Sequence, residues 1–177
     1  MSVRALGIAA FAVSLVACAE PAHRSDLGVV FPAAQAHDIV RALGLQASEY
    51  WTPTPADVAR LEAGLRRALE RAAVEPTEVD RLSIGDPGRR AYVAQVINEI
   101  LEHFGDYRRQ YVGIIADDGA RKIVANCFPA HRGSMPDEFA DWRQRFVVVS
   151  DGGAAFWRIQ FDVATDRYDA FDVNGEA

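Results

Sequence analysis

The chain has 177 residues, half of them hydrophobic, and a formal net charge of −6 at neutral pH. That acidic balance argues against nucleic acid or anionic lipid head groups as partners, because both require a concentrated positive field. The length suits one compact domain with its own hydrophobic core.

An apolar run from Ala5 to Ala17 follows the positive Arg4 and is too short to span a bilayer, which takes roughly 20 apolar residues. It leads into Leu15-Val16-Ala17-Cys18, with small Ala17 and Ala19 about the cleavage point, and this resembles the signal peptide and lipobox of bacterial lipoproteins. The other readings of these residues are a buried N-terminal helix and a plain signal peptide with an incidental cysteine. The resemblance implies that residues 1–17 are removed and that Cys18 becomes the first residue, carrying a diacylglyceryl thioether and an acylated amine of the palmitate type. Two or more acyl chains anchor stably, at about 0.8 kcal/mol per buried methylene, so the expected partner is a membrane reached through the lipid. Ala19 after the cysteine implies the outer membrane, with the protein facing the periplasm. Loss of Arg4 leaves the mature chain more acidic still, and consumption of the Cys18 thiol leaves Cys127 with no intramolecular disulfide partner.

Residues 18–35 read as the lipidated cysteine and a short tether, with Leu27, Val29, Val30 and Phe31 docking on the domain, which is expected to occupy 36–177. Ile39, Val40 and Leu43 fall at helical spacing before Gly44. Thr54-Pro55 with Asp57 is a capping-box start, and Val58, Leu61, Leu65, Leu69 and Ala72 mark an amphipathic helix to about Ala73. Its other faces carry Arg60, Arg66, Arg67, Glu70 and Arg71, read as a solvated surface with Glu62 paired to Arg66. Asp86-Pro87 opens a third helix, striped by Val93, Val96, Ile97, Ile100, Leu101 and Phe104 and stopped at Gly105.

Beyond Gly105 the period changes to two. Residues 107–116 and 121–128 flank Asp117-Asp118-Gly119, a strong hairpin signal. A further strand is expected over Arg145–Ser150, turned by Asp151-Gly152-Gly153 into Ala154–Val163, and Arg167–Val173 closes the series. Helices first and strands afterwards predict an α+β domain, with the N-terminal helices packed on one face of a C-terminal antiparallel meander sheet. The element order over residues 86–173 loosely resembles cystatin-like and NTF2-like folds, and the ending, through Asn174-Gly175-Glu176, resembles small uncharacterised bacterial lipoproteins. Neither resemblance carries functional residues with it.

The chain lacks GxGxxG, Walker, GxSxG and HExxH motifs. Cys127 with His131 is the pairing that offers a thiol nucleophile and its base, as a small hydrolase or thiol enzyme would need. Cys127 also alternates in phase with Ile123 and Ala125, which makes it a small buried hydrophobe. His23, His37, His103, His131 and Cys127 are scattered, so no metal site is expected, and no cofactor is implied. Asp162, Asp166, Asp169 and Asp172 lack a calcium-loop pattern and read as a solvated acidic edge. The candidate binding surface is the polar sheet face, on which Phe156, Arg158 and Gln160 with Asp162 are expected beside Tyr168, Ala170 and Asp172. Trp51, Trp142 and Trp157 read as core. The expected role is that of a non-catalytic binding or accessory protein of the cell envelope, acting on an envelope or secreted protein or a small ligand; a structural part in envelope assembly and a small hydrolase or thiol enzyme are the other readings.

Overall fold

The computed structural model describes residues 28–130 and 137–175. The signal segment, Cys18, His23 and His131 lie outside the described residues. Six strands and three helices follow one another as β1 (Gly28–Val30), α1 (Ala33–Ala42), β2 (Glu49–Trp51), α2 (Pro55–Val74), α3 (Pro87–Glu102), β3 (Tyr107–Ile115), β4 (Arg121–Pro129), β5 (Trp157–Asp162) and β6 (Arg167–Val173). The class is α+β. The strands make one sheet in the order β1-β3-β4-β5-β6, and β2 shares the outer edge of β3 with β1.

The sheet is mixed rather than a pure meander, because β1 joins β3 in parallel, Gly28 opposite Arg109, whereas β2 runs antiparallel with Trp51 opposite Gly113. Val29 and Val30, expected to dock from a tether, are therefore part of the sheet itself. β3 through β6 do form an antiparallel meander.

Alternation along the strands divides the core in two. Tyr111, Ile123, Ala125, Cys127, Trp157, Ile159 and Phe161 point to the face covered by α2 and α3 and bury Leu61, Leu65, Leu69, Val93, Ile97 and Ile100. Val112, Ile114 and Val124 point the other way, where α1 supplies Ala36, Ile39 and Val40 and the residue after it, Leu43, joins them. α2 starts as its sequence dictates. The Thr54 side chain accepts from the Asp57 N–H at 3.2 Å and Asp57 accepts from the Thr54 N–H at 3.0 Å, a reciprocal cap worth about 1 kcal/mol. The β3–β4 turn closes through Gly119, whose φ of +80° suits glycine.

The strand expected over Arg145–Ser150 does not form. β4 already has β3 and β5 on its two edges, so no pairing position is left for it. The segment instead crosses the α1 side of the sheet as irregular chain held by two strand amides. Gln110 Nε2 donates to Trp142 O at 2.6 Å and Arg145 O at 2.9 Å, and Gln110 Oε1 accepts from the Val147 N–H at 2.8 Å. Asn126 Nδ2 donates to Val147 O at 2.9 Å. Trp142 and Val147 then pack on Phe128 and Phe156 as a third small core. Buried polar backbone in a loop needs such partners, and Gln110, itself fully buried, supplies them.

Candidate functional site

A one-residue irregularity in β6 creates the main polar feature. The β5–β6 register pairs Arg158 with Asp172 but Gln160 with Asp169, so two residues of β5 advance against three of β6. The extra residue is Ala170, at φ +48°. Residues three apart in a regular strand face opposite ways; the bulge puts Asp169 and Asp172 on the same face, each within reach of a basic side chain. Lys122 Nζ lies 2.7 Å from Asp169 Oδ2, and the Arg158 guanidinium donates to the Asp172 carboxylate.

This ladder floors a trough of about 640 Å³ across β4, β5 and β6, walled on one side by Leu45 and Asp118 and on the other by residues 77–82. The second wall is fixed by Asp80, which is 4% exposed and accepts from Arg89 Nε at 2.6 Å, Ser83 Oγ at 2.8 Å and the Leu82 N–H at 3.0 Å. Burial alone would push the Asp80 carboxyl up. The hydrogen bonds from Arg89, Ser83 and Leu82 outweigh it and hold the group below the usual carboxylate range.

The expected binding surface is thus partly redrawn. Arg158 and Gln160 do line the trough. Phe156 does not, because it is 6% exposed and buried beneath the 139–149 crossing, with Phe139 packed edge-on at 5.9 Å. Tyr168 does not either. The bulge reverses the phase of β6 ahead of Ala170, so Tyr168 sits opposite Phe161 on the helix side and its hydroxyl donates to Leu61 O. Lys122, Arg167 and Asp169 take their places. β6 contains no Gly or Pro to mark a bulge, so strict alternation puts Tyr168 on the wrong face.

The four aspartates read as a solvated edge each have an assigned partner. Asp162 Oδ1 accepts the N–H groups of Ala164 at 2.9 Å and Thr165 at 3.0 Å, and Asp166 meets Arg60 at 2.6 Å. Asp169 and Asp172 form the ladder. Among the described residues no group of three or more His, Cys, Asp or Glu is arranged to hold a metal ion. His37 and His103 are exposed beside Asp38 and Asp106.

Cys127 is completely buried between the sheet and the helices, and burial pushes its thiol well up, toward the protonated, unreactive form. Close by lies a buried polar group that helical spacing did not reveal. Glu62 does not pair with Arg66, which instead meets Glu70 at 3.0 Å. It turns inward, accepting from Tyr111 Oη at 2.6 Å and facing Arg109 Nε at 3.5 Å. Arg109 also donates to Tyr107 O and Phe104 O and lies 4.7 Å over the Phe104 ring. Glu62 comes directly after Leu61 and three positions before Leu65 on the apolar stripe, and its burial is explicable only once Arg109 is seen opposite.

No helix among the described residues is long and apolar enough to cross a membrane. No protein-family model, curated protein or solved structure matches this chain.

Proposed function

We propose that this chain is a lipoprotein anchored through Cys18 to the outer membrane, facing the periplasm, and that it acts by binding rather than by catalysis. The observation that carries the binding reading is the trough over β4–β6, a polar concavity of about 640 Å³, within the range of small-ligand sites. Its charges are prearranged by strand register, not by flexible surface chains, and prearranged groups lose little freedom on binding. The thiol-enzyme alternative draws no support from a sulfur buried this deeply. Nor do the groups around Cys127 form a relay, since Arg109 is engaged with Glu62 and with the backbone oxygens of Phe104 and Tyr107, and Glu62 with Arg109 and the Tyr111 hydroxyl.

Two measurements test the proposal. Mass spectrometry of the N-terminal peptide from membranes is expected to find acyl chains on Cys18, and Cys18→Ser is expected to abolish them and release the protein from the membrane. Unmodified Cys18 in membrane-bound protein overturns the anchor. For the binding role, wild type and an Arg158→Ala/Asp172→Ala variant are captured from gently solubilised envelopes and their bound molecules compared. A species held by wild type and missing from the variant supports the trough; identical contents from both count against it.

A further inference from the structure

We propose that the turn 81–84, between α2 and α3, docks on the bilayer that holds the lipid anchor, seating Leu82 and Ile84 at the level of the head groups and upper acyl chains. This rests on the anchor at Cys18 and adds the orientation in which the domain meets its membrane.

The turn is built inside out. Among the described residues the most exposed large aliphatic side chains are Val74, Leu82 and Ile84, at 85%, 71% and 69%. Leu82 and Ile84 flank Ser83, which is fully buried and donates through Oγ to Asp80 at 2.8 Å. The polar residue points in and its apolar neighbours point out. The Leu82 N–H donates to Asp80 at 3.0 Å, the Ile84 N–H to Arg81 O at 3.1 Å, and Asp80 is held in turn by Arg89 at 2.6 Å. Turning the aliphatic pair inward would pull Ser83 and the Leu82 N–H off a buried carboxylate, which is costly. An apolar pair fixed outward in this way marks a surface that is covered in use, by a partner or by a membrane.

The place where the chain enters the sheet selects the membrane. Gly28, Arg109, Cys127, Trp157 and Val173 stand in one row across the strands. Phe171, two residues before Val173, donates its N–H to Val79 O at 3.0 Å, so the segment that leads into the turn is fixed at the end of the sheet where β1 begins. α3 leaves the turn, packs on residues 153–155 and returns the chain to Tyr107, whose hydroxyl donates to Ala154 O at 3.0 Å at that same end. From β1 to β6 is four strand spacings, about 19 Å at roughly 4.8 Å each. The ten residues from Cys18 to Gly28 reach at most about 35 Å at roughly 3.5 Å per residue. A bilayer carrying Cys18 is thus within reach of the turn.

Charge favours the same orientation. Residues 71–90 balance Arg71, Arg81, Arg89 and Arg90 against Glu75, Glu78, Asp80 and Asp86, whereas the whole chain carries −6. Near an anionic leaflet the acidic remainder is repelled and the neutral region approaches most easily. The contact is apolar, in keeping with a chain that has no basic surplus. The exposed Arg81 lays its aliphatic stem along the interface with its guanidinium in water.

The test places the full-length lipoprotein in vesicles of phosphatidylethanolamine with a minor share of phosphatidylglycerol. A nitroxide is attached at Ile84→Cys or, for comparison, at Asp117→Cys in the β3–β4 turn at the opposite end of the sheet. Cys18 is acylated and Cys127 is buried, so the introduced thiol takes the label. Collision with oxygen, which enters the bilayer, is compared with collision with a water-soluble nickel chelate. The ratio is expected to be about tenfold higher at 84 than at 117, and to persist in high salt. Leu82→Asp, an exposed substitution checked for folding by circular dichroism, is expected to bring the ratio at 84 down to that at 117. Equal ratios at 84 and 117 in protein that floats with the vesicles overturn the docking and leave the anchor standing. Protein that does not float removes the anchor and the docking together. A label at 84 shielded from both reagents, or broadened by a second label, assigns the surface to a protein partner or a second copy of the chain and overturns the proposal.

Discussion

The ring of Tyr168 in β6 occupies the space that a side chain on Gly64 of α2 would fill. A Cβ built on Gly64 would lie 2.7 Å from the Tyr168 hydroxyl and 3.3 Å from its ring. A glycine in the middle of a 20-residue helix costs about 1 kcal/mol against alanine. Here it admits a tyrosine that reaches past it to the Leu61 carbonyl and locks helix to sheet.

Gly64→Ala therefore departs from ordinary helix behaviour. Instead of stabilising, it is expected to cost about 1–3 kcal/mol through overpacking. Urea unfolding of Gly64→Ala, Tyr168→Phe and the double variant checks this. The double variant should lose less than the sum of the singles, because removing the hydroxyl relieves the clash. Additive losses would show that the two residues do not share that space.

The bulge makes an opposite prediction at Ala170. A left-handed conformation costs an L-residue about 1–2 kcal/mol, part of which glycine gives back in unfolded-state entropy. Ala170→Gly is expected to raise stability by about 0.5–1 kcal/mol, and Ala170→Val, β-branched at φ +48°, to lower it. Thermal melts of the two variants decide. A stabilising valine would mean that the strand is regular and that Asp169 and Asp172 face opposite ways.

Glu62 and Arg109 form a pair with side chains 8% and 6% exposed. Removing one partner strands the other, so Glu62→Gln is expected to cost about 3–5 kcal/mol. Adding Arg109→Met to Glu62→Gln should recover a substantial part of that loss. The midpoint of chemical denaturation reads both, and a double variant less stable than Glu62→Gln would show that Arg109 contributes through Phe104, Tyr107 and packing more than through charge.

Three tyrosines predict the alkaline limit. Burial pushes the Tyr107 phenol up to about 12, and raises those of Tyr111 and Tyr168, with the Glu62 carboxylate adding to both. Each is raised above an unfolded value near 10, so the folded state holds the proton longer. That contribution to stability is complete below about pH 10 and is lost as pH rises toward 12. Absorbance at 295 nm followed with circular dichroism is expected to show delayed phenol ionisation coincident with unfolding. Full ionisation by pH 10.5 with the fold intact would contradict the burial of these groups.

Cys127 is expected to resist a thiol reagent in the native protein and to react at the rate of opening. Rapid stoichiometric labelling without denaturant would return it to consideration as a nucleophile.

Helix α2 was legible because a capping box, a proline and an apolar stripe all act within a turn or two of backbone. α3 and the β3–β4 hairpin were legible for the same reason, and together they set the α+β class. The misreadings share a different cause. Val147 and Val149 look like a strand until the edges of β4 prove to be occupied, and then Gln110 and Asn126, two polar residues in strands, take hold of the segment. Tyr168 looks exposed until Ala170 shifts the count by one. Glu62 looks solvated until Arg109, remote in sequence, stands opposite it. Local hydrogen bonding and periodicity are properties of neighbouring residues, and the amino-acid sequence by itself determined them. Which edge is free, where a register slips and which buried charge meets its partner depend on contacts between distant segments, and only the tertiary structure decided those, including the floor of the trough.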